Sequence, residues 1–340
     1  MLHTFKQLIK RLICALLYYS GLLFLFKKWV MRGKAVVLMY HRVIPETPGL
    51  KTYSHKGIIV DEKSFEKQLD FLKRHFQVLS APEFVKSLHR KIPFEKPSCL
   101  ISFDDGWIDN HDHAYTQLKK RNIPAIIFLP TDYMGTGKLF WQERLCNTMH
   151  ILCKDLAQHA QLLGRMGFEM KSNDPDHEIL KFVSQQKNQS PETIETLLCD
   201  LEQYMHDQNI KFPLENMDSY LNWDQVRAMD SNIIYYGSHA QSHTMLPKLS
   251  RDRQRNELSH SKTIIETETG LSIDSIAFPN GDYNQDTLSL CEECNYKVAF
   301  TTQRGHVSAN DNPFMLKRVN VNNAVSASIP IFFCRVLGLL

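Results

Sequence analysis

Apolar positions fall along this chain in short dense runs, separated by longer segments where they recur every three or four residues. Residues 35–40, 99–103, 125–129, 233–237, 275–278, 297–301 and 316–321 have strand length and strand composition. Dense apolar runs of that length are the pattern of strands covered on both faces. Residues 64–75 show helical spacing instead: Phe65, Leu69 and Leu72 share a face, and Ser64 can cap. Another helix is expected around 112–121, and Pro124 introduces the third strand. About seven strands alternating with helices predict a mainly parallel α/β arrangement, closed or partly closed into a (β/α) barrel. Residues 141–221 interrupt the rhythm. They are polar and helical in pattern, with Ser190-Pro191 as cap and first helical position and a stripe of Ile194, Leu197, Leu198, Leu201 and Met205. This reads as a helical insertion near the rim, more simply packing decoration than a lid.

The two ends are apolar. Residues 12–26 carry no charge, with Lys10 and Arg11 before them and Lys27 and Lys28 after. As one helix they span roughly 22 Å, short of the ~30 Å hydrocarbon core. No small-x-small cleavage site follows. The expectation is a helix lying in, or dipping into, a membrane interface; the alternative is an amphipathic helix packed on the domain. The apolar tail 326–340 lies beside that helix or completes the core. The expected organisation is therefore a membrane-associating helix (1–33), an α/β domain (34–325, with the insertion at about 141–221) and the tail.

Composition narrows the class. Of 340 residues, 43% are hydrophobic and 23% charged, enough for a sizeable core and unlike a disordered chain. A net charge of +3, without a basic run interleaved with aromatics, gives no reason to expect nucleic acid. The eight cysteines are scattered, unlike a small disulfide scaffold. They read as thiols in a reducing compartment, which favours the cytoplasmic side of a membrane without deciding the face. Cys291 and Cys294 fall in a helical pattern, where two helix residues are the simpler reading than a metal or redox pair.

The candidate chemistry lies just after the dense runs. Ser102-Phe103-Asp104-Asp105-Gly106-Trp107 puts two adjacent carboxylates where a strand opens into a loop. Gly237-Ser238-His239-Ala240-Gln241-Ser242-His243 follows another strand and offers two imidazoles. One carboxylate and two imidazoles make a ligand set that leaves positions open on a divalent ion. The second carboxylate remains to serve as a base. Each motif alone is modest, since Asp-Asp-Gly is often a turn; together, after two buried strands, they point to metal-assisted hydrolysis. His111 and His113 sit on a polar helix start and read as surface residues. Trp107, Trp141 and Trp223 could stack on a sugar, and Trp107 is nearest in sequence to the carboxylates.

Ser-Phe-Asp-Asp-Gly resembles the first signature of the polysaccharide deacetylases (the NodB-homology, carbohydrate esterase family 4 enzymes), and His239 to His243 resembles their histidine pair. Ala277-Phe278-Pro279-Asn280-Gly281 looks like a variant of their third motif. The resemblance runs from about residue 35 to 321, outside the insertion. It implies a distorted (β/α) barrel, a zinc-like divalent ion (cobalt, nickel or iron being alternatives), and removal of an acyl group from an N-acylated sugar. It implies Asp104 as general base, Asp105, His239 and His243 as ligands, and the Asn280 N–H as an oxyanion donor. Two departures stand out. Ala277 occupies the place where the family usually has an arginine that orients the base; Arg318 is the substitute candidate. The usual late Leu-x-x-His is absent, while Leu38-Met39-Tyr40-His41-Arg42-Val43 ends the first strand and resembles the permuted motif of deacetylases acting on poly-N-acetylglucosamine. His41 is then the general acid, a role suited to a group titrating near neutrality. The expected partner is an N-acetylated glycan at a membrane surface. The alternatives are a deformylase or deacylase of a lipid-linked amino sugar, and a glycan-binding protein that kept the fold without catalysis.

Overall fold

The computed structural model describes residues 2–46, 52, 54–211 and 219–340. Seven parallel strands close on themselves: β1 (Lys34–Tyr40), β2 (Ser98–Phe103), β3 (Ala125–Leu129), β4 (Ile234–Ser238), β5 (Ser275–Ala277), β6 (Val298–Arg304) and β7 (Leu316–Asn320). Each pairs with the next, and β1 pairs with both β2 and β7, so the ring has no free edge among these strands. β2 and β3 are buried at every position, which is why the sequence shows dense runs there rather than alternation. Val37, Leu100, Ile126, Phe128, Phe300 and Leu316 share one core with Phe84 and Phe94. Gly237 admits the Phe128 ring: a Cβ there would lie 2.5 Å from Phe128 Cε1.

Local chemistry sets the helices. The helix Glu62–His75 is capped by Asp61, whose Oδ1 accepts the Ser64 N–H at 2.7 Å. Ser64 is therefore inside the first turn and is not the cap. After β2 the chain enters a π-type turn, Asn110–Tyr115, before the helix Thr116–Arg121, so that helical segment begins earlier than 112.

The amino terminus corrects the expectation of a single helix over 12–26. It forms two helices, Leu2–Tyr19 and Leu22–Val30, bent by 84° where Gly21 adopts φ 79°. Cys14 and Leu23 are buried. Tyr18 and Phe24 meet Phe333 at ring distances of 6.2 and 5.0 Å. Phe333 belongs to the helix Ile329–Val336, which packs on both the first helix and Glu62–His75. Lys27 Nζ donates to the carbonyl of His75 at 2.7 Å. That carbonyl precedes the short strand Gln77–Val78, which pairs with β2 at Ser98 and Cys99. The second helix thus lies by the amino-terminal end of the barrel and leads straight into β1, while the first packs on the outer helices.

Within the described residues, a second compact unit comprises 137–211 and Ser219 with Thr52, Ser54 and His55. Its helices Trp141–Leu152, Leu156–Arg165, Pro175–Gln186 and Pro191–Asp207 bury Leu145, Met149, Leu163, Phe182, Leu198 and Leu201 in their own core. Ser190 caps the last of them, accepting the Thr193 N–H at 3.2 Å.

Candidate active site

The site forms at the carboxyl ends of β1, β2, β4, β5 and β7. β2 ends at Phe103, and the Asp104 N–H still donates to Tyr40 O of β1 at 3.0 Å. Asp105 then takes φ 74° and Gly106 φ 61°. A left-handed non-glycine residue costs about 1–2 kcal/mol, and this one turns the chain so that two adjacent carboxylates diverge.

Asp104 is buried and held by Arg318 in a two-point clamp. Nη1 to Oδ1 and Nη2 to Oδ2 are both 2.7 Å. Arg318 is itself fully buried, with Nε donating to Thr301 O at 2.9 Å. Burial pushes the Asp104 carboxyl up, but the Arg318 charge, then His239, outweigh it and leave it below the ordinary carboxylate range.

Asp105 faces the imidazoles. Its Oδ1 lies 3.3 Å from His239 Nε2 and 3.4 Å from His243 Nε2. Asp105, His239 and His243 are the candidate metal cluster among the described residues, their ligand atoms all within 4.8 Å of one another. The donor set fits a divalent ion. His239 Nδ1 donates to Ala277 O at 2.7 Å, which leaves Nε2 with a free lone pair turned to Asp105. Burial acts first on Asp105, upward, yet the facing imidazoles of His239 and His243 carry its carboxyl well below the ordinary range.

The two histidines are not on a helix. They sit in a loop where Ala240 and His243 have φ of 61° and 55°. Glu257, on the helix Arg251–Thr269, holds that loop by accepting the N–H of Gln241 and of Ser242, each at 2.8 Å. Asp132, beyond β3, exchanges two 3.0 Å bonds with Gln241. The cluster's backbone strain is thus supported from two sides.

His41 follows β1 and acts electrostatically on both Asp104 and Asp105. Its Nδ1 is buried without a hydrogen-bond partner among the described residues, while its carbonyl accepts from Asn110 Nδ2 at 2.7 Å. Asn280 lies in the turn after β5 at φ 55°, three residues beyond the carbonyl that anchors His239. That turn is tight: a Cβ on Gly281 would collide with Thr302. His111 and His113 stay outside the cluster, paired with Asp112 and Glu62.

Trp107 requires a correction. It is fully buried, so its face is closed to a sugar. Its Nε1 donates to Asp105 Oδ2 at 3.1 Å, and the Arg42 guanidinium stacks 4.1 Å from its ring centroid. Arg42 is fixed in turn by Asp109 at 2.8 Å. Sequence reasoning missed Arg42, Asp109 and Glu257 as supports of the site. Arg42 stands inside the His41 motif, and Asp109 follows Asp105 by four residues. No spacing signal leads to Glu257.

A closed parallel barrel whose carboxyl rim joins an Asp-His-His cluster to a second, arginine-clamped aspartate defines a barrel enzyme with a ligand set of metal-site type. The chain belongs to the polysaccharide deacetylase family, whose model matches residues 91–299; it is a hydrolase of amide bonds. β1 with His41 and β7 with Arg318 fall outside that match. The chain is 28% identical over 234 residues to the poly-beta-1,6-N-acetyl-D-glucosamine N-deacetylase of Staphylococcus epidermidis, covering 64% of this chain and 75% of that protein. It is 23% identical over 304 residues to the enzyme of the same name from Staphylococcus aureus, covering 86% and 80%. Among solved structures, Streptococcus pyogenes deacetylase PplD in complex with acetate shares the fold at a TM-score of 0.56 and 21% identity, over 86% of this chain and 95% of that one.

Proposed function

We propose that this chain removes the N-acetyl group from an N-acetylated amino sugar of a glycan, at a membrane surface, with one divalent ion held by Asp105, His239 and His243. Two imidazoles and a carboxylate suit zinc, with cobalt, nickel and iron as alternatives. Such an ion would supply Lewis acidity toward the acetamide oxygen and make a nearby water more acidic.

The chain's own residues account for the proton movements. Asp104 accepts a proton from the attacking water; the Arg318 clamp leaves each carboxylate oxygen a further lone pair for it. Water oxygen bonds to the acetamide carbon, and the carbonyl oxygen takes up negative charge. The Asn280 N–H donates toward that charge. His41 protonates the sugar nitrogen, the C–N bond breaks, and acetate and a free amine result. The unpartnered Nδ1 of His41 supports this role.

One observation carries the reading: two neighbouring aspartates have unlike partners, Asp104 an arginine and Asp105 two imidazoles. The test is acetate release from N-acetylglucosamine oligomers. Chelator is expected to abolish it and zinc to restore it. Asp104→Asn is expected to lower kcat by about 10²–10⁴-fold while the protein keeps its metal content. Near-normal turnover in Asp104→Asn would falsify the division of labour.

A further inference from the structure

The helix pair has a second face that the barrel does not cover. Leu8, Leu12, Leu16 and Tyr19 line one side of the first helix, Leu25 and Trp29 one side of the second, and all are exposed. Leu16 is 69%, Tyr19 80% and Trp29 74% accessible. Apolar area gathered this densely on an exposed surface marks an interaction site.

Its charge selects the partner. None of the chain's 37 Asp and Glu falls within residues 1–45, yet Lys10, Arg11, Lys27, Lys28 and Arg32 do. Arg11, Lys28 and Arg32 are exposed beside the apolar stripe. A basic apolar surface bearing tyrosine and tryptophan fits the headgroup region of an anionic bilayer. No helix among the described residues is long and apolar enough to cross a membrane alone, and the 84° bend gives an L that can lie in one plane.

The position of this face is informative. The Lys27 bond to His75 O places the second helix at the amino-terminal end of the barrel, by Gln77–Val78 and the start of β2, with the first helix beside it on the outer helices. The Asp-His-His cluster lies at the carboxyl ends of the strands. We infer that the helix pair is an in-plane lipid anchor that turns the catalytic rim away from the bilayer, so that the rim serves a glycan arriving from solvent rather than a sugar on a lipid of the same membrane. The substrate half rests on the deacetylase reading above; the anchoring half does not.

Three measurements on the full chain test this. In flotation with phosphatidylcholine/phosphatidylglycerol vesicles, the protein is expected to co-float. Leu12→Glu combined with Leu16→Glu is expected to cut the bound fraction at least tenfold without changing the circular dichroism spectrum. Replacing phosphatidylglycerol with phosphatidylcholine weakens binding too. Equal binding by the variant overturns the anchor, as does a lipid-independent dimer that the same substitutions dissolve. Orientation is read without catalysis, in a Cys199→Ser background because Cys199 is an exposed thiol. A fluorophore at Ile92→Cys, ahead of β2, is expected to transfer energy to a rhodamine lipid more efficiently than one at Asp282→Cys, beyond β5. The reverse order overturns the orientation. Finally, vesicle-bound enzyme is expected to deacetylate soluble oligomers at the rate of free enzyme and a lipid-carried N-acetylglucosamine in its own vesicle at least tenfold more slowly. Faster cis reaction overturns the substrate half. Acetate release from neither substrate, with flotation and energy transfer as expected, sinks the deacetylase reading and the substrate half together, and leaves the anchor standing.

Discussion

Asp104 and Asp105 differ because each meets a different strand. Arg318 reaches Asp104 from β7, and the β4 loop brings two imidazoles to Asp105. With Arg318→Met, only His239 and His41 are left to oppose burial at Asp104, and its carboxyl rises. A base works ionised, so the acid limb of kcat/KM should move to higher pH, with kcat about 10²-fold lower from lost positioning. An acid limb that stays in place would show that Arg318 does not govern the base. Trp107 works from the other side. Trp107→Phe keeps a ring for Arg42 to stack on and deletes the donor to Asp105 Oδ2. A group that orients a ligand this way is expected to change metal affinity by about 10–100-fold, read by competition with a chromogenic chelator; unchanged affinity would reduce Trp107 to packing.

Elements carry their own consequences. Asp61 ends the short strand Ile59–Asp61, caps Glu62–His75 and accepts from Asn323 Nδ2 at 2.7 Å. Burial pushes its carboxyl up, and the Ser64 and Asn323 bonds bring it below the ordinary value. A depressed carboxyl stabilises the fold above its unfolded pKa of roughly 3.9, and that contribution fades as pH falls through the folded value. Asp61→Ala should therefore cost about 1 kcal/mol near neutrality and less as acidity increases below about pH 4. Thermal melts of both proteins across that range check it; a constant gap would refute the linkage. The same scale shows what the sequence reveals. β1, β2, β3 and β5 were legible because burial on both faces writes dense apolar runs. The aspartate and histidine motifs were legible because they follow those runs at once. The break at Gly21 was hidden, since one glycine does not interrupt an apolar stretch; its φ of 79° does. The cap was misplaced by three residues because Asp61 also belongs to a strand. Arg42, Trp107 and Asp109 meet by stacking and ion pairing across loops, which leaves no periodicity to read.

At the level of the whole molecule, the site ties together strands far apart in the chain. An ion bound there and not by the unfolded chain should raise stability by about 2.7 kcal/mol at a hundredfold excess over Kd. Zinc should accordingly raise Tm in the native protein and not in His239→Ala, by calorimetry; an equal rise in both would place binding elsewhere. Ring closure has one more consequence. Because β1 must find both β2 and β7, the first stave cannot be locked until the last emerges. A nascent polypeptide released to residue 300 already holds the histidines, but it lacks the guanidinium on Asp104 and half the support beneath His41. Synthesis should therefore act as a timer: with Arg318 and His41 in the proposed roles, hydrolytic competence is expected only when translation has passed the final stave, long after the amino-terminal helices have left the ribosome.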